Sequence, residues 1–251
     1  MRKPKSAYLI RSVGRALDLL EAFTEHDGSL GVTDLAKRLG IHKNNAFRLL
    51  ATLETRGYVT QEPGTGRYRL GLKLYQLGQH VQRLLSPARE ARPILQGLVG
   101  HCDETAYLGI LDDASVVYVA MVETTQAIRV APRLGTRAPA WLTAHGKIQL
   151  AFLAPESLDE AIQESPVADP DELRRRLAES AQRGYDVEDE DPKAGVRGLA
   201  APVRDEEGQV MASLGLVGPT FRLTPDRIER ELSPLVTQAA RELSARLGAP
   251  S

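Results

Sequence analysis

From Ser12 to about Glu25, Ala16, Leu17, Leu20 and Phe23 recur at helical spacing, and Ser12 is placed to cap that helix. Asp27-Gly28 breaks the pattern. A second short helix follows, with Thr33 as its expected cap and Leu35, Ala36 and Leu39 as its inner face. Gly40 ends it in the manner of a left-handed C-terminal residue. After a tight turn through Ile41 and His42, a longer helix runs from about Lys43 to Arg56. At about 100° per residue, Ala46, Leu49, Leu50 and Leu53 form one stripe of it, and Asn44, Asn45, Arg48, Ala51, Thr52 and Thr55 the opposite one. Tyr58-Val59 then starts a strand, Pro63-Gly64-Thr65-Gly66 turns it, and Tyr68 and Leu70 return. Residues 32–70 therefore read as a helix-turn-helix followed by a two-stranded wing, the arrangement that presents one helix to the DNA major groove.

The outward stripe of the third helix carries no acid; the helix's one acid, Glu54, lies off it near the C-terminal end. A merely solvated helix face usually mixes Glu with Lys. Asn and Arg can each make paired hydrogen bonds to base edges, Asn to adenine and Arg to guanine. The expected DNA-facing set is Lys43, Asn44, Asn45, Arg48 and Thr52, with Thr33 on the preceding helix and His42 as a cap or phosphate contact. Arg67 and Arg69 in the wing are expected to meet phosphate or enter the minor groove. Without the helix before it, the wing would read as a solvated hairpin.

Residues 71–86 read as an amphipathic linker helix with Leu74, Leu77, Val81 and Leu84 on one side. Pro87 ends it, and Ala88 to Cys102 reads as another helix. Beyond that, Thr105–Leu111 and Ser115–Val122 are strands joined at Asp112-Asp113, and Ala127–Leu134 is a third. Trp141–Leu153, Glu156–Glu164 and Pro170–Gly184 read as helices, Gly195–Val203 and Val210–Val217 as strands, and Pro225–Leu247 as a long final helix. This β-β-β-α-α-α-β-β-α order, with adjacent hairpins, predicts an α+β domain built on an antiparallel sheet with flanking helices. The expected division is 9–70, a winged helix-turn-helix; 71–86, the linker; and 87–248, a sensor-like domain.

Charge sharpens that division. The chain of 251 residues carries a net charge of −1, but residues 1–70, led by a basic arm over 1–8, hold 12 Lys+Arg against 7 Asp+Glu. The remainder is acidic. A basic front and an acidic back suit a nucleic-acid-binding domain joined to one with another task. One cysteine, Cys102, permits no disulfide within the chain and fits a reducing cytoplasm. The N-terminus lacks the apolar run of a signal peptide, and no window approaches the ~18 apolar residues of a membrane span. The five histidines, His26, His42, His80, His101 and His145, show no ligand spacing, so no metal is expected, nor any cofactor. His101-Cys102 tempts as a nucleophile pair, but adjacent residues on a helix do not face each other. No catalytic residue is assigned. Arg174-Arg175-Arg176, set among Asp171, Glu172 and Glu179, reads as a solvated helix face.

The stretches SVGRALDLLEAF, VTDLAKRLG with KNNAFRLLATLETRGYV, and YRLGLKLYQLG, together with ETAYLGILDDASVVYV, AHGKIQLAFL, RGYDVEDEDPKAGVRGLAAPV and MASLGLVGP, resemble the IclR family of bacterial transcriptional regulators over nearly the whole chain. The resemblance implies a winged helix, a linker helix and a GAF-like effector domain. It also implies a homodimer or homotetramer, and operator binding modulated by a small organic acid or aromatic compound. It puts small hydroxyl residues where Asn44-Asn45 stand, so base preference is expected to differ. In the effector domain it sets Ala144 and His145 where backbone amides line the ligand, Glu188 at an acidic position, Gly198 at a polar one, and Gly215 and Val217 at two small hydroxyl ones. Val130 is counted with that lining, and Trp141 stands between lining and core. Because Gly198, Gly215 and Val217 supply no side-chain donor, a roomier, more apolar pocket is expected, with a larger, aromatic acid held by His145 and the helix start at Thr143–Gly146. Two other classes compete: a small-molecule sensor acting through protein contacts, and an enzyme with an accessory winged helix. The sequence leaves open repression or activation, the effector, the operator and its genes, and dimer or tetramer.

Overall fold

The computed structural model describes residues 8–24, 28–84, 86–130, 134–163, 165–188 and 195–250; of residues 81–84 and 86 it describes the backbone. The chain divides into two compact units, Met1–Val81 and Gln82–Ser251. Residues 1–7 of the expected basic arm, Asp27 of the first break, and the side chains of Val81 and Leu84 lie outside the described residues.

The first unit holds α1 (Arg11–Glu21), α2 (Val32–Arg38), α3 (Lys43–Thr55), a hairpin of β1 (Val59–Gln61) and β2 (Tyr68–Leu70), and the start of α4 (Leu72–Leu84). Its core is Leu19, Phe23, Leu30, Leu35, Leu50, Leu53, Val59 and Tyr68, so the inner stripes of three helices meet the hairpin. Gly40 has φ +59°, which lets the chain turn sharply between α2 and α3. Two expected caps are not caps. α1 starts after Ile10, with Ser12 inside the helix. α2 starts after Gly31, whose amide is taken by the Asp34 carboxylate at 3.2 Å, and Thr33 sits exposed within the first turn. Both helices begin one residue before the hydroxyl that was expected to cap them.

The second unit is α+β. α5 (Ser86–Cys102) leads into β3 (Thr105–Asp112) and β4 (Ser115–Val122). β5 (Arg137–Pro139), α6 (Ala144–Leu150), α7 (Pro155–Gln163) and α8 (Pro170–Arg183) follow. Then come β6 (Asp186–Glu188), β7 (Val196–Arg204), β8 (Val210–Pro219), α9 (Pro225–Arg227), a π-helical turn at Ile228–Leu232 and α10 (Ser233–Arg246). The six strands form one antiparallel sheet in the order β5-β4-β3-β8-β7-β6. One face, with Ala106, Leu108, Leu199, Ala201, Leu214 and Leu216, packs on α5 and α10. The other lies under α6.

Of the expected third strand at 127–134, the described residues 127–130 and 134 lie in no strand, and Ile128 and Leu134 are exposed; β5 pairs with β4 instead. β6 adds a short strand that the sequence pattern did not show. The last helix is interrupted by the π turn just before Pro234, whose missing amide hydrogen removes one rung of the helical ladder.

Candidate functional site: an exposed helix face and a buried cleft

On α3, Ala46 and Leu50 are fully buried, Leu53 nearly so and Leu49 half-buried, while Lys43, Asn44, Asn45, Arg48, Thr52 and Thr55 are exposed. The stripe read from the sequence is therefore an uncovered polar surface of unit 1. His42 occupies the N-cap position, but its side chain makes no capping bond. Thr52 and Thr55 donate their hydroxyls back to the Arg48 and Ala51 carbonyls at 2.9 and 2.8 Å, which leaves their oxygens as acceptors facing outward. Arg11 and Arg15 of α1 line one groove with Asn45, Arg48 and Thr52, so two cations that the motif did not single out flank the same face.

The wing arginines divide. Arg69 is exposed. Arg67 is turned inward: its Nε and a terminal nitrogen donate to the Ser29 carbonyl at 3.1 and 2.7 Å, and it lies 3.5 Å from the Asp34 carboxylate. Its guanidinium ties the wing to the start of α2 while its side chain stays partly exposed.

In the second unit, strand register gathers the remaining residues. Glu188 pairs with Gly198, Gly198 with Val217 and Val217 with Thr105, a single row across β6, β7, β8 and β3. The next same-face row is Asp186, Ala200, Gly215 and Tyr107. α6 closes over these rows. The Ala144 amide donates to Glu188 at 3.4 Å, and His145 Nδ1 lies 2.9 Å from Ser213 Oγ on β8. The Val130 carbonyl accepts from the Tyr107 hydroxyl at 3.3 Å, and Val130 and Trp141, both half-buried, pack on the cluster containing Tyr107, Tyr118 and Val217. Ala144, His145, Glu188, Gly198, Gly215, Val217, Val130 and Trp141 thus share one side of the sheet.

The pocket is not opened by its glycines. A Cβ on Gly215 would lie 2.1 Å from the Leu199 carbonyl oxygen; this glycine draws β8 close to β7 and leaves no spare room. A Cβ on Gly198 would meet the Glu188 carboxylate at 3.0 Å, so Glu188 fills the space that Gly198 leaves. The start of α6 is also largely occupied: Gly146 N donates to Thr143 Oγ1 at 3.0 Å and Ala144 N to Glu188. The expectation of a roomy cleft with a free helix start therefore fails at these positions.

Beside the cleft, Lys147 Nζ meets Asp186 at 3.3 Å, both side chains buried, and Ser180 bonds the same carboxylate. Burial raises the Asp186 pKa, and Lys147 opposes that rise. His145 is 1 % exposed, and burial lowers its pKa to about 4, so it is neutral at pH 7. Burial likewise pushes Tyr118 up to about 12 and Tyr107 upward. The Tyr118 and Tyr107 rings stand nearly perpendicular to the imidazole, 5.4 and 6.5 Å away. The Ser213–His145 pair has the separation of a nucleophile and its base, but Ser213 is fully buried and its other close partner is the Gln149 amide at 2.8 Å, and among the described residues no carboxylate orients the histidine. Tyr107, Tyr118 and Ser213 escaped the sequence reading because strand alternation shows which residues share a face within one strand, whereas register between strands is set by the fold.

Residues 12–63 match the IclR helix-turn-helix domain, and residues 82–245 match the family described as bacterial transcriptional regulator IclR C-terminal. The chain belongs to the IclR family of bacterial transcriptional regulators. It is 34 % identical to the HTH-type transcriptional regulator XynR of Escherichia coli K12, over 97 % of this chain and 99 % of that protein. The IclR structure from Thermotoga maritima is similar at 28 % identity and a TM-score of 0.75, over 95 % of this chain and 99 % of that one. An IclR homolog from Microbacterium hydrocarbonoxydans, in complex with 4-hydroxybenzoate, shares the fold at 24 % identity and a TM-score of 0.79, over 94 % and 98 % of the two chains. As an IclR-family member the protein is a transcriptional regulator, with a helix-turn-helix DNA-binding domain and a C-terminal ligand-binding domain. Among the described residues, no helix is long and apolar enough to cross a membrane.

Proposed function

We propose that this regulator is a cytoplasmic, non-enzymatic homo-oligomer that reads its operator with α3, and that a small organic acid seated between α6 and the sheet shifts its DNA affinity. The observation that carries the first part is the exposed, acid-free stripe of α3 immediately after the Gly40 turn. Lys43, Asn44, Asn45, Arg48 and Thr52 are its base- and phosphate-reading set, Arg69 and the α1 arginines add phosphate attraction, and Thr33 and His42 flank it.

Val13 and Leu17 on α1, and Leu72, Tyr75 and Leu77 on α4, are exposed apolar residues of the first unit. Covering them with a second copy supports an oligomer, and a dimer sets two α3 helices on paired half-sites. Val130, Trp141, Ala144, His145, Glu188, Gly198, Gly215 and Val217 form the effector site, because the register and α6 gather them on one sheet face. The complex of the Microbacterium homolog makes 4-hydroxybenzoate a probe to try here. A ligand that binds one arrangement of the DNA-binding heads better than another shifts operator affinity by that difference.

The test is fluorescence anisotropy of the full-length protein on DNA from upstream of its own gene, across salt concentrations and with a panel of organic acids. Selective binding that falls steeply with salt and is moved by one acid is the expected result. Binding that is indifferent to sequence overturns the operator reading. Selective binding unmoved by the whole panel overturns the acid.

A further inference from the structure

Between α6 and the sheet a chain of hydrogen bonds ends on an unanswered atom. The Leu111 amide donates to Gln149 Oε1 at 2.9 Å, which fixes the orientation of that side-chain amide. Gln149 Nε2 therefore faces the other way, and its two hydrogens go to the His145 carbonyl at 2.9 Å and Ser213 Oγ at 2.8 Å. Ser213, having accepted from Gln149, has one hydrogen of its own. His145 Nδ1 lies 2.9 Å away and the Gly109 carbonyl 3.4 Å, so Ser213 shares a hydrogen bond with the imidazole at Nδ1 whichever of the two carries the proton. The neutral imidazole then presents the complementary role at Nε2, a donor where Nδ1 accepts and an acceptor where Nδ1 donates. That Nε2 is buried and has no hydrogen-bond partner among the described residues.

The arrangement is built rather than incidental. A Cβ on Gly109 would lie 2.6 Å from Val116 Cγ1 and 3.3 Å from His145 Nδ1, so this glycine lets the strand pack closely against both side chains. Tyr107 and Tyr118 stand edge-on around the imidazole and make its surroundings flat and apolar. A buried ring nitrogen without a hydrogen bond is costly, and a ligand hydroxyl would return that cost.

The charge of that ligand group follows from the neighbours. The Glu188 carboxylate lies on the adjacent Ala144 amide and repels a second anion. The Lys147 ammonium, two residues along α6, is already paired with Asp186. Resting on the reading of this face as the effector site, we infer that His145 is a specificity-determining residue whose Nε2 hydrogen-bonds an uncharged hydroxyl or phenol group of the effector, which can serve as donor or acceptor. Any carboxylate of the same molecule lies away from Glu188.

The test is isothermal titration of the full-length chain with 4-hydroxybenzoate, benzoate and phenol, repeated on His145→Leu and His145→Gln. In the wild type, 4-hydroxybenzoate binds about tenfold or more tighter than benzoate, the ratio that one buried hydrogen bond supplies. His145→Leu removes that preference, and His145→Gln, which keeps an N–H near the same place, restores part of it. Benzoate binding as tightly as 4-hydroxybenzoate, or a preference that survives His145→Leu, overturns the inference while the acid-effector reading stands. Phenol binding that depends on His145, with neither acid bound, supports the inference and overturns the acid. Binding of none of the three overturns both. If His145→Leu does not fold, the wild-type ratio decides.

Discussion

His145 shows how one residue joins stability to specificity. Its neutral form is built into the fold, whereas in the unfolded chain it titrates near 6.5. As pH falls below about 6.5 the unfolded chain takes up a proton that the folded chain refuses until about pH 4. The folded-state pKa is depressed, so this group's contribution is present above the unfolded value and is lost as pH falls, by up to about 3 kcal/mol. Urea unfolding between pH 7 and pH 4 is expected to show that decline, and His145→Gln to flatten part of it; an unchanged slope would mean the imidazole is solvated. Gly215 makes a second residue-scale case. Gly215→Ser, which on the family pattern would restore a ligand donor, instead sets a Cβ against the Leu199 carbonyl. It is expected to cost about 1–3 kcal/mol of stability, read from the urea midpoint.

Among the elements, α6, α8 and β6 are tied by one buried ion pair, Lys147–Asp186, with Ser180 of α8 on the same carboxylate. Two residues beyond Asp186 on the same strand, Glu188 reaches the first amide of α6. Lys147→Met leaves a buried carboxylate without its counter-charge and is expected to cost about 3–5 kcal/mol, whereas Lys147→Met with Asp186→Leu recovers much of it. A double variant no more stable than the single one would show that the pair is not the tie.

What was legible in the sequence follows the same logic of local against distant partners. α3 and the wing could be read because helical period, Gly40 and the 63–66 turn are local signals. The α+β class could be read because hairpins and amphipathic helices alternate along the chain. Arg67 could not be, since its partner Ser29 is 38 residues away. The third strand was misplaced because Ala127, Ile128 and Val130 look β-rich, yet the edge of the sheet is taken by β5. β6, three residues long, is too short for alternation to appear. The candidate cleft was legible as a set of family positions, but the filling of the Gly198 space by Glu188 depends on register.

For the whole molecule, we propose that the exposed face of α3 in one unit reads DNA through direct side-chain contacts, Arg48 among them, and that the buried sheet face under α6 in the other unit senses the effector. Operators are first selected from random DNA with the wild-type protein. The affinity of wild type and Arg48→Ala is then compared on the selected sequence and on single-base changes of it. If Arg48 pairs with a guanine, the variant loses about 1–3 kcal/mol on the selected sequence and no longer distinguishes that base. An Arg48→Ala protein that binds the selected operator as tightly and as selectively as wild type would show that Arg48 reads no base.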